Sequence, residues 1–316
     1  MKKTRIIFFG TPLFAVRCLD FLMQEQHDIV AVVTAPDRIA GRGKKMVAPD
    51  LKKFSLPKGL KILQPTNLKD PDFVSELVAL KPDLHIVVAF RMLPKVVWSL
   101  PPLGTINLHA SLLPDYRGAA PINWALINGE KVTGVSTFII DTKIDTGMLL
   151  LQESIPIDTK ENAGTLHDKL ISIGAPLISK TIKGLVNGTL SPKPQQLNGK
   201  ENKAPKLDAE NTKIKWSETL DKNIAQIRGL SPYPGAWTLY QNEGKPLRMK
   251  IFEASPRYVE HSYPLNQIIV KDKKLMIAKK EGFLICEIIQ LPNKKRMESS
   301  AVLNGYTFSN DAMILI

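Results

Sequence analysis

The sequence predicts a doubly wound, Rossmann-like α/β domain followed by a smaller, mainly β barrel domain. Three observations carry this expectation. Apolar, strand-like runs at residues 5–10, 29–34, 61–63, 84–90 and 105–109 alternate with segments of helical spacing, which is the βαβ pattern of an open parallel sheet. Residues 191–206 then shift to Pro, Gln, Asn, Gly and Lys without apolar periodicity and read as a linker, so the chain divides into residues 1–190 and 207–316. Beyond it, short runs at 247–252, 267–270, 274–277 and 284–291 are separated by turn residues, as in a small barrel.

Taken in chain order, the first run is a strand stopped by Gly10, Thr11 and Pro12. Met1, Lys2 and Lys3 ahead of it imitate a secretory signal, but four apolar residues fall short of the roughly 7 to 15 of a signal core. No stretch reaches the roughly 18 apolar residues of a membrane span, so a cytoplasmic protein is expected. The Gly-Thr-Pro turn lacks the three glycines of a dinucleotide fingerprint, which argues against a nucleotide cofactor there. After the second strand, residues 38–53 hold Arg38, Arg42, Lys44, Lys45, Lys52 and Lys53 against the single acid Asp50, with Gly41 and Gly43 for flexibility. Such a loop suits a phosphate backbone or a terminal base pair, and it equally suits a solvated basic turn.

Residues 105–109 alternate Thr, Ile, Asn, Leu, His. In a strand this puts Asn107 and His109 on one face and packs Ile106 and Leu108 on the other. The strand leads into Ser111, Leu112, Leu113 and Pro114, then a turn ending at Gly118. That passage reads either as a plain strand exit, with Pro114 ending the ladder, or as a binding loop beside the polar pair. Asp145, in the turn Ile-Asp-Thr-Gly, joins them if the two segments run side by side. Taken singly, each of these residues is more often a turn cap or a satisfied polar group. Together they suit acyl-type transfer between amines, whose tetrahedral oxyanion needs preorganised donors and whose attacking amine must lose a proton. In open sheets ligands lie beyond the carboxyl ends of the strands, so this pair and the basic loop are expected on one rim.

Composition limits the alternatives. At 316 residues and 44% hydrophobic content the chain buries a large core across about two domains. Cys18 and Cys286 both lie in apolar stretches and are expected to be buried thiols, outside any disulfide framework. The histidines at 27, 85, 109, 167 and 261 lack ligand spacing, so no metal is expected. The net charge is +13, of which residues 204–316, with 17 basic and 12 acidic side chains, contribute +5, leaving +8 for the first 203. Both halves are therefore basic, as suits an anionic partner bound with salt-sensitive affinity. Lys294, Lys295 and Arg296 form a further charge run that usually marks a solvated turn.

The motifs FFGTPLFA at 8–15, APDRIAGRGKK at 35–45, NLHASLLPDYRGAAPI at 107–122 and DTKIDTG at 141–147 together resemble the methionyl-tRNA formyltransferases. GTLHDKL at 164–170, APKL at 204–207, IKWS at 214–217 and IRGLSPYPGAW at 227–237 extend the likeness over nearly the whole chain. The resemblance implies formyl transfer from 10-formyltetrahydrofolate, as co-substrate, to the amino group of methionine on initiator methionyl-tRNA for translation initiation. It implies that Asn107, His109 and Asp145 are catalytic, that Ser111, Leu112, Leu113 and Pro114 shape the folate and formyl pocket with Phe90 and Arg91, and that no metal takes part. It assigns tRNA contacts to Arg42, with Lys44 and Lys45 beside it, and to Lys206, and it implies an OB-like barrel as the tRNA-binding second domain. The central motif is shared with other folate formyltransferases, and the flanking motifs make the choice. One departure stands out: the segment AFRMLP has Arg91 where the family carries Gly, and one residue fewer. Arg91 either reshapes the donor pocket or projects outward. A formyltransferase for amino sugar nucleotides would keep the trio without needing the basic loop, and a non-catalytic binder would be expected to lose one of the trio.

Overall fold

The computed structural model describes residues 3–40 and 45–316. The chain folds into two compact units: Met1–Pro121, Val132–Ile155 and His167–Lys203 form one, and Ile122–Lys131, Pro156–Leu166 and Ala204–Ile316 form the other. The chain passes between them more than once, so neither unit is one continuous stretch.

The first unit starts with β1 (Arg5–Gly10), whose Ile6, Ile7, Phe8 and Phe9 are all fully buried. A strand covered on both faces shows no alternation, which is why this one reads as a continuous apolar run. α1 (Leu13–Gln24) follows, and Phe14, Ala15, Cys18, Leu19 and Leu22 recur at three- and four-residue steps to form its buried face. It sits so close to β1 that a Cβ on Gly10 would lie 2.4 Å from the Ala15 Cβ, so only glycine fits there. β2 (Asp28–Val33) leads to a hairpin of β3 (Arg38–Ala40) and β4 (Lys45–Val47), then α2 (Asp50–Ser55), β5 (Ile62–Leu63) and α3 (Pro71–Ala79). The Asp70 carboxylate caps α3 by accepting the Asp72 N–H at 2.9 Å. β6 (Leu84–Val88), α4 (Lys95–Trp98), β7 (Thr105–His109), β8 (Arg117–Gly118) and α5 (Pro121–Ile127) come next, α5 belonging from Ile122 onward to the second unit. β9 (Val132–Ile139), β10 (Leu149–Pro156), α6 (Ala163–Val186) and β11 (Lys203–Ala204) complete the run.

The main sheet has the order β10-β9-β7-β6-β1-β2-β5. Pairing is parallel from β7 to β5, and β9 runs antiparallel to β7. β2 and β5 lie on one side of β1, and β6 and β7 on the other, so the strand order reverses between β1 and β6. That reversal is the switch point at which doubly wound sheets open a crevice. All five expected strands form, β1 and β7 with the expected bounds and the other three with ends shifted by one or two residues. β9 and β10 were not anticipated. β9 is buried along most of its length yet mixes Thr, Gly and Ser with its apolar residues, so it offers neither strict alternation nor an apolar run.

In the second unit α7 (Leu220–Leu230) precedes β12 (Ala236–Asn242), β13 (Lys245–Tyr258), β14 (Ile268–Lys271), β15 (Lys274–Lys279) and β16 (Gly282–Gln290). β17 (Met297–Glu298), α8 (Ser299–Val302) and β18 (Met313–Leu315) close the chain. The sheet order is β14-β15-β16-β13-β12-β18, and β17 pairs with β16. Its outer edges meet: the Ile268 N–H donates to the Ala312 carbonyl at 2.8 Å and the Ile314 N–H to that of Asn266 at 2.9 Å, so the sheet is nearly closed into a barrel. β12 alternates inward Ala236, Thr238, Tyr240 and Asn242 with half-exposed neighbours, and Trp216, Leu220, Ile227, Leu230 and Ile251 fill the core. The Trp216 indole N–H donates to Thr238 Oγ1 at 2.8 Å, which satisfies a polar atom inside an apolar cluster. Cys18 and Cys286 are both free and fully buried, and burial pushes both thiols far up, away from thiolate chemistry. Among the described residues no helix is long and apolar enough to cross a membrane.

His85, in the middle of the main sheet, is fully buried, and its Nε2 has no hydrogen-bond partner among the described residues. Burial pushes the imidazole down to about 3. The folded chain therefore keeps it neutral, whereas the unfolded chain protonates it below about pH 6.5. Its contribution to stability is complete above that pH and is lost as pH falls toward 3. His85→Leu is expected to flatten the acid limb of stability between about pH 6.5 and 4, read by urea unfolding beside the unaltered chain. Superimposable acid limbs would remove His85 from the pH dependence.

Candidate active site

β7 is flanked on both sides, with Val87 opposite Asn107 in β6 and Ser136 opposite His109 in β9. Ile106 and Leu108 are buried, while Asn107 stays half-buried on the other face. His109, at the strand end, is 6% exposed, and its Nε2 lies 2.8 Å from the Tyr116 carbonyl oxygen. A carbonyl only accepts, so Nε2 carries the proton of that bond. Nδ1 then faces the Asp145 carboxylate, whose Oδ2 is 3.7 Å away. This is ion-pair range but too long for a hydrogen bond, and Nδ1 becomes a donor toward the carboxylate only when the ring carries both protons. The same Oδ2 accepts the Gly118 N–H at 2.9 Å. Among the described residues the half-buried Asn107 side chain makes no hydrogen bond.

Asp145 reaches His109 because the turn that carries it is anchored beside β7. The Ile140 N–H donates to the Thr105 carbonyl at 2.8 Å, and the Ile139 N–H to that of Met148 at 2.9 Å. Within the turn, Thr146 Oγ1 donates to Asp141 Oδ1 at 2.8 Å. Asp145 itself has a φ of 54°, a left-handed conformation in which Asp is among the more tolerant residues. A Cβ on Gly147 would fall 1.7 Å from the Ile139 carbonyl oxygen, so glycine lets the turn pass β9.

The Ser111–Pro114 passage is held from behind. Ser136 Oγ donates to the Ser111 carbonyl at 2.6 Å and accepts the Leu113 N–H at 3.0 Å. Gln152 Nε2 donates to the Leu113 carbonyl and to Ser136 Oγ, each at 2.9 Å. Ser111 Oγ donates to the Asp115 carbonyl, and Ser111 and Leu113 are buried at 0% and 3% exposure. Those two face the protein, and Leu112 and Pro114 are the half-exposed members.

A cleft of about 450 Å³ opens at the switch point of the sheet. Thr11 and Pro12 follow β1, Phe90 and Arg91 follow β6, and Pro36, Arg38, Pro49 and Lys53 supply the far wall. Its lining includes Phe90 and Arg91 but none of Asn107, His109, Asp145 or residues 111–114, so the pocket residues expected together fall into two groups. Arg91 neither fills the cleft nor hangs free. Its guanidinium donates to the carbonyls of Thr66, at 2.8 Å, and Pro65, tying the loop after β6 to the loop after β5. In the basic loop, Lys52 pairs with Asp37 at 2.8 Å and Lys53 with Asp50 at 3.3 Å, whereas Arg38 and Lys45 are exposed. The Gln64 side-chain donor and Lys52 hold the Asp37 carboxyl below the usual range. Arg42 and Lys44 lie outside the described residues. Lys206 is exposed in the second unit.

Sequence reasoning missed Ser136, Gln152 and Gln195. Gln195 donates through Nε2 to the carbonyls of Asp145, at 2.9 Å, and Gly147, at 2.8 Å. Polar side chains that act on backbone far away in sequence leave no spacing signal, although Ser136 could have been flagged once β9 was placed beside His109. No group of three or more His, Cys, Asp and Glu among the described residues is clustered to hold a metal ion.

Residues 3–182 match the formyl transferase family and residues 206–307 match the formyl transferase C-terminal domain. A methionyl-tRNA formyltransferase of Flavobacterium johnsoniae is 51% identical over 99% of this chain and 100% of its own length. The chain belongs to the methionyl-tRNA formyltransferase family. A member from Bacteroides thetaiotaomicron is 44% identical, with 98% of each chain covered. Among solved structures the fold is shared with HypX from Aquifex aeolicus, at a TM-score of 0.67 and 18% identity over 96% of this chain. The chain spans about half of that protein, 49% of its length. It is also shared with WlaRD, a sugar 3N-formyl transferase, at a TM-score of 0.64 and 21% identity over 93% of this chain and all of that one. For this family member, Ser136→Ala is expected to lower stability by about 1–3 kcal/mol, because it strips the buried Leu113 N–H of its acceptor. Amide exchange across residues 111–115 is expected to quicken, and unchanged exchange there would show that Ser136 does not hold the loop.

Proposed function

We propose that Asn107, His109 and Asp145 carry out the formyl transfer of this family, from 10-formyltetrahydrofolate to the amino group of methionine on initiator methionyl-tRNA. The observation that carries the reading is the confrontation of His109 Nδ1 with the Asp145 carboxylate, at 3.7 Å, on the face of β7 that also holds the unpartnered Asn107 amide. The neutral amine attacks the formyl carbon, a C–N bond forms, and the formyl oxygen takes up the negative charge. The Asn107 amide and, in the doubly protonated ring, His109 Nδ1 are the donors on that face for this oxygen, and each such donor contributes about 3 kcal/mol. Asp145 balances the charge of the ring and accepts the proton leaving the amine. The bond from the formyl carbon to N10 of the folate then breaks as Asp145 passes that proton on to N10, giving formylmethionyl-tRNA and tetrahydrofolate and restoring the carboxylate.

Residues 1–190 would form the catalytic domain, 191–206 the linker and 207–316 the tRNA-binding barrel. Donor contacts are assigned to Phe90 and Arg91 of the switch-point cleft and to the passage Ser111, Leu112, Leu113 and Pro114, with the half-exposed Leu112 and Pro114 presented to the ligand. The tRNA contacts are Arg42, Lys44 and Lys45 of the basic loop and Lys206, supported by the exposure of Lys45 and Lys206 and by the net charge of +13. The enzyme would act in the cytoplasm, where charged tRNA and folate meet.

The deciding assay supplies 10-formyltetrahydrofolate with either charged initiator tRNA or an amino sugar nucleotide and follows formyl transfer. Transfer to the tRNA is expected, and transfer only to the sugar would refute the assignment. His109→Ala is expected to lower kcat by at least about 100-fold with the fold intact by circular dichroism. A near-normal rate would exclude His109 from the chemistry. Arg42→Ala is expected to raise the KM for tRNA while leaving that for the donor unchanged, and equal losses toward both would contradict the division of labour.

A further inference from the structure

We propose that Gln195 is a positioning residue that holds the Asp145 carboxylate in register with His109, an inference that rests on the role given to Asp145 above. Its amide uses every bond it has. Nε2 gives its two protons to the Asp145 and Gly147 carbonyls, at 2.9 and 2.8 Å. Oε1 accepts from Arg117, through Nε at 3.1 Å and through Nη2. Arg117 directly precedes Gly118, the residue whose N–H holds the Asp145 carboxylate at 2.9 Å. One side chain thus ties together the two segments on which the carboxylate depends: the turn that carries it and the strand that orients it.

The turn needs such a tie. Asp145 is held at a φ of 54°, a conformation that costs a non-glycine residue free energy and persists where surrounding bonds offset that cost. Two residues later Gly147 passes so close to the Ile139 carbonyl that no Cβ fits. The Asp145 and Gly147 carbonyls flank this tight stretch, and Gln195 binds both. The segment bearing Gln195 is itself fixed: Lys193 exchanges backbone hydrogen bonds with Leu149, at 2.7 and 2.8 Å. Residues of linker composition therefore close the catalytic turn from outside. A catalytic group displaced by about 1 Å loses up to about 100-fold in rate, and the 3.7 Å gap between His109 and Asp145 leaves little room for drift.

The test is steady-state kinetics on the full-length enzyme with Gln195→Ala, Gln195→Glu and Asp145→Asn singly, and with Gln195→Ala combined with Asp145→Asn, at a temperature where all are folded. Gln195→Glu keeps the size and the acceptor for Arg117 but replaces the two donors by an oxygen that the carbonyls repel, so it remains informative if the alanine variant folds poorly. Both single changes at 195 are expected to lower kcat about 10-fold, with KM for donor and tRNA within about twofold. In the Asp145→Asn background, Gln195→Ala is expected to add no further loss, because both act through one carboxylate. A multiplicative loss in the double variant, or an unchanged kcat in the Gln195→Glu variant, overturns the proposal while leaving the role of Asp145 standing. A normal rate for Asp145→Asn overturns that role and this inference together.

Discussion

The antiparallel pairing of β9 against β7 is the constraint on which the candidate site depends. β7 alone sets only Asn107 and His109, two residues apart on one strand face. The ladder that places Phe138 opposite Asn107 and Ser136 opposite His109 does two further things. It puts the Ser136 hydroxyl behind the Ser111–Pro114 passage, and it anchors the turn that carries Asp145 beside the start of β7. A slip of one residue in this pairing would turn Ser136 to the opposite face and break both connections.

The polar groups around the site fall into two kinds. Ser136, Gln152 and Gln195 bind backbone carbonyls and amides, and beside these each other or Arg117, and act as fixed supports. Asn107 is unpartnered among the described residues and His109 Nδ1 stands just beyond hydrogen-bond range of Asp145. Catalytic preorganisation calls for this division: satisfied groups set the geometry at no further cost, and unsatisfied donors are kept for charge that develops during reaction. The same reasoning accounts for Arg91. Arg91 combines the two kinds: two of its five N–H donors hold the loops after β5 and β6 together, and its charge stays at the wall of the cleft.

Much of the first unit was legible in the sequence because its strands are buried on both faces or alternate cleanly. The fully apolar stretch Ile6 to Phe9 and the alternation of Thr105 to His109 each leave one reading. The small barrel was legible only in part. β13 runs to Tyr258, past the expected end at 252, because its outer half is paired with β16 while its side chains are mostly exposed. β18 was missed because three residues carry no period, and only the bonds of Ile314 and Ala312 to residues 266 and 268 reveal that they close the barrel.

By itself the sequence determined the class of both folds, the face shared by Asn107 and His109, the burial of both cysteines and the family motifs, since each is written in local spacing of at most a few residues. Tertiary structure alone decided that Asp145 faces His109, that Ser111 and Leu113 turn inward, that Arg91 donates to two backbone carbonyls, and that Gln195 binds the turn carrying Asp145. All four are contacts between segments 20 or more residues apart in sequence, made largely to backbone atoms that every residue possesses, and such contacts leave no trace in composition or period.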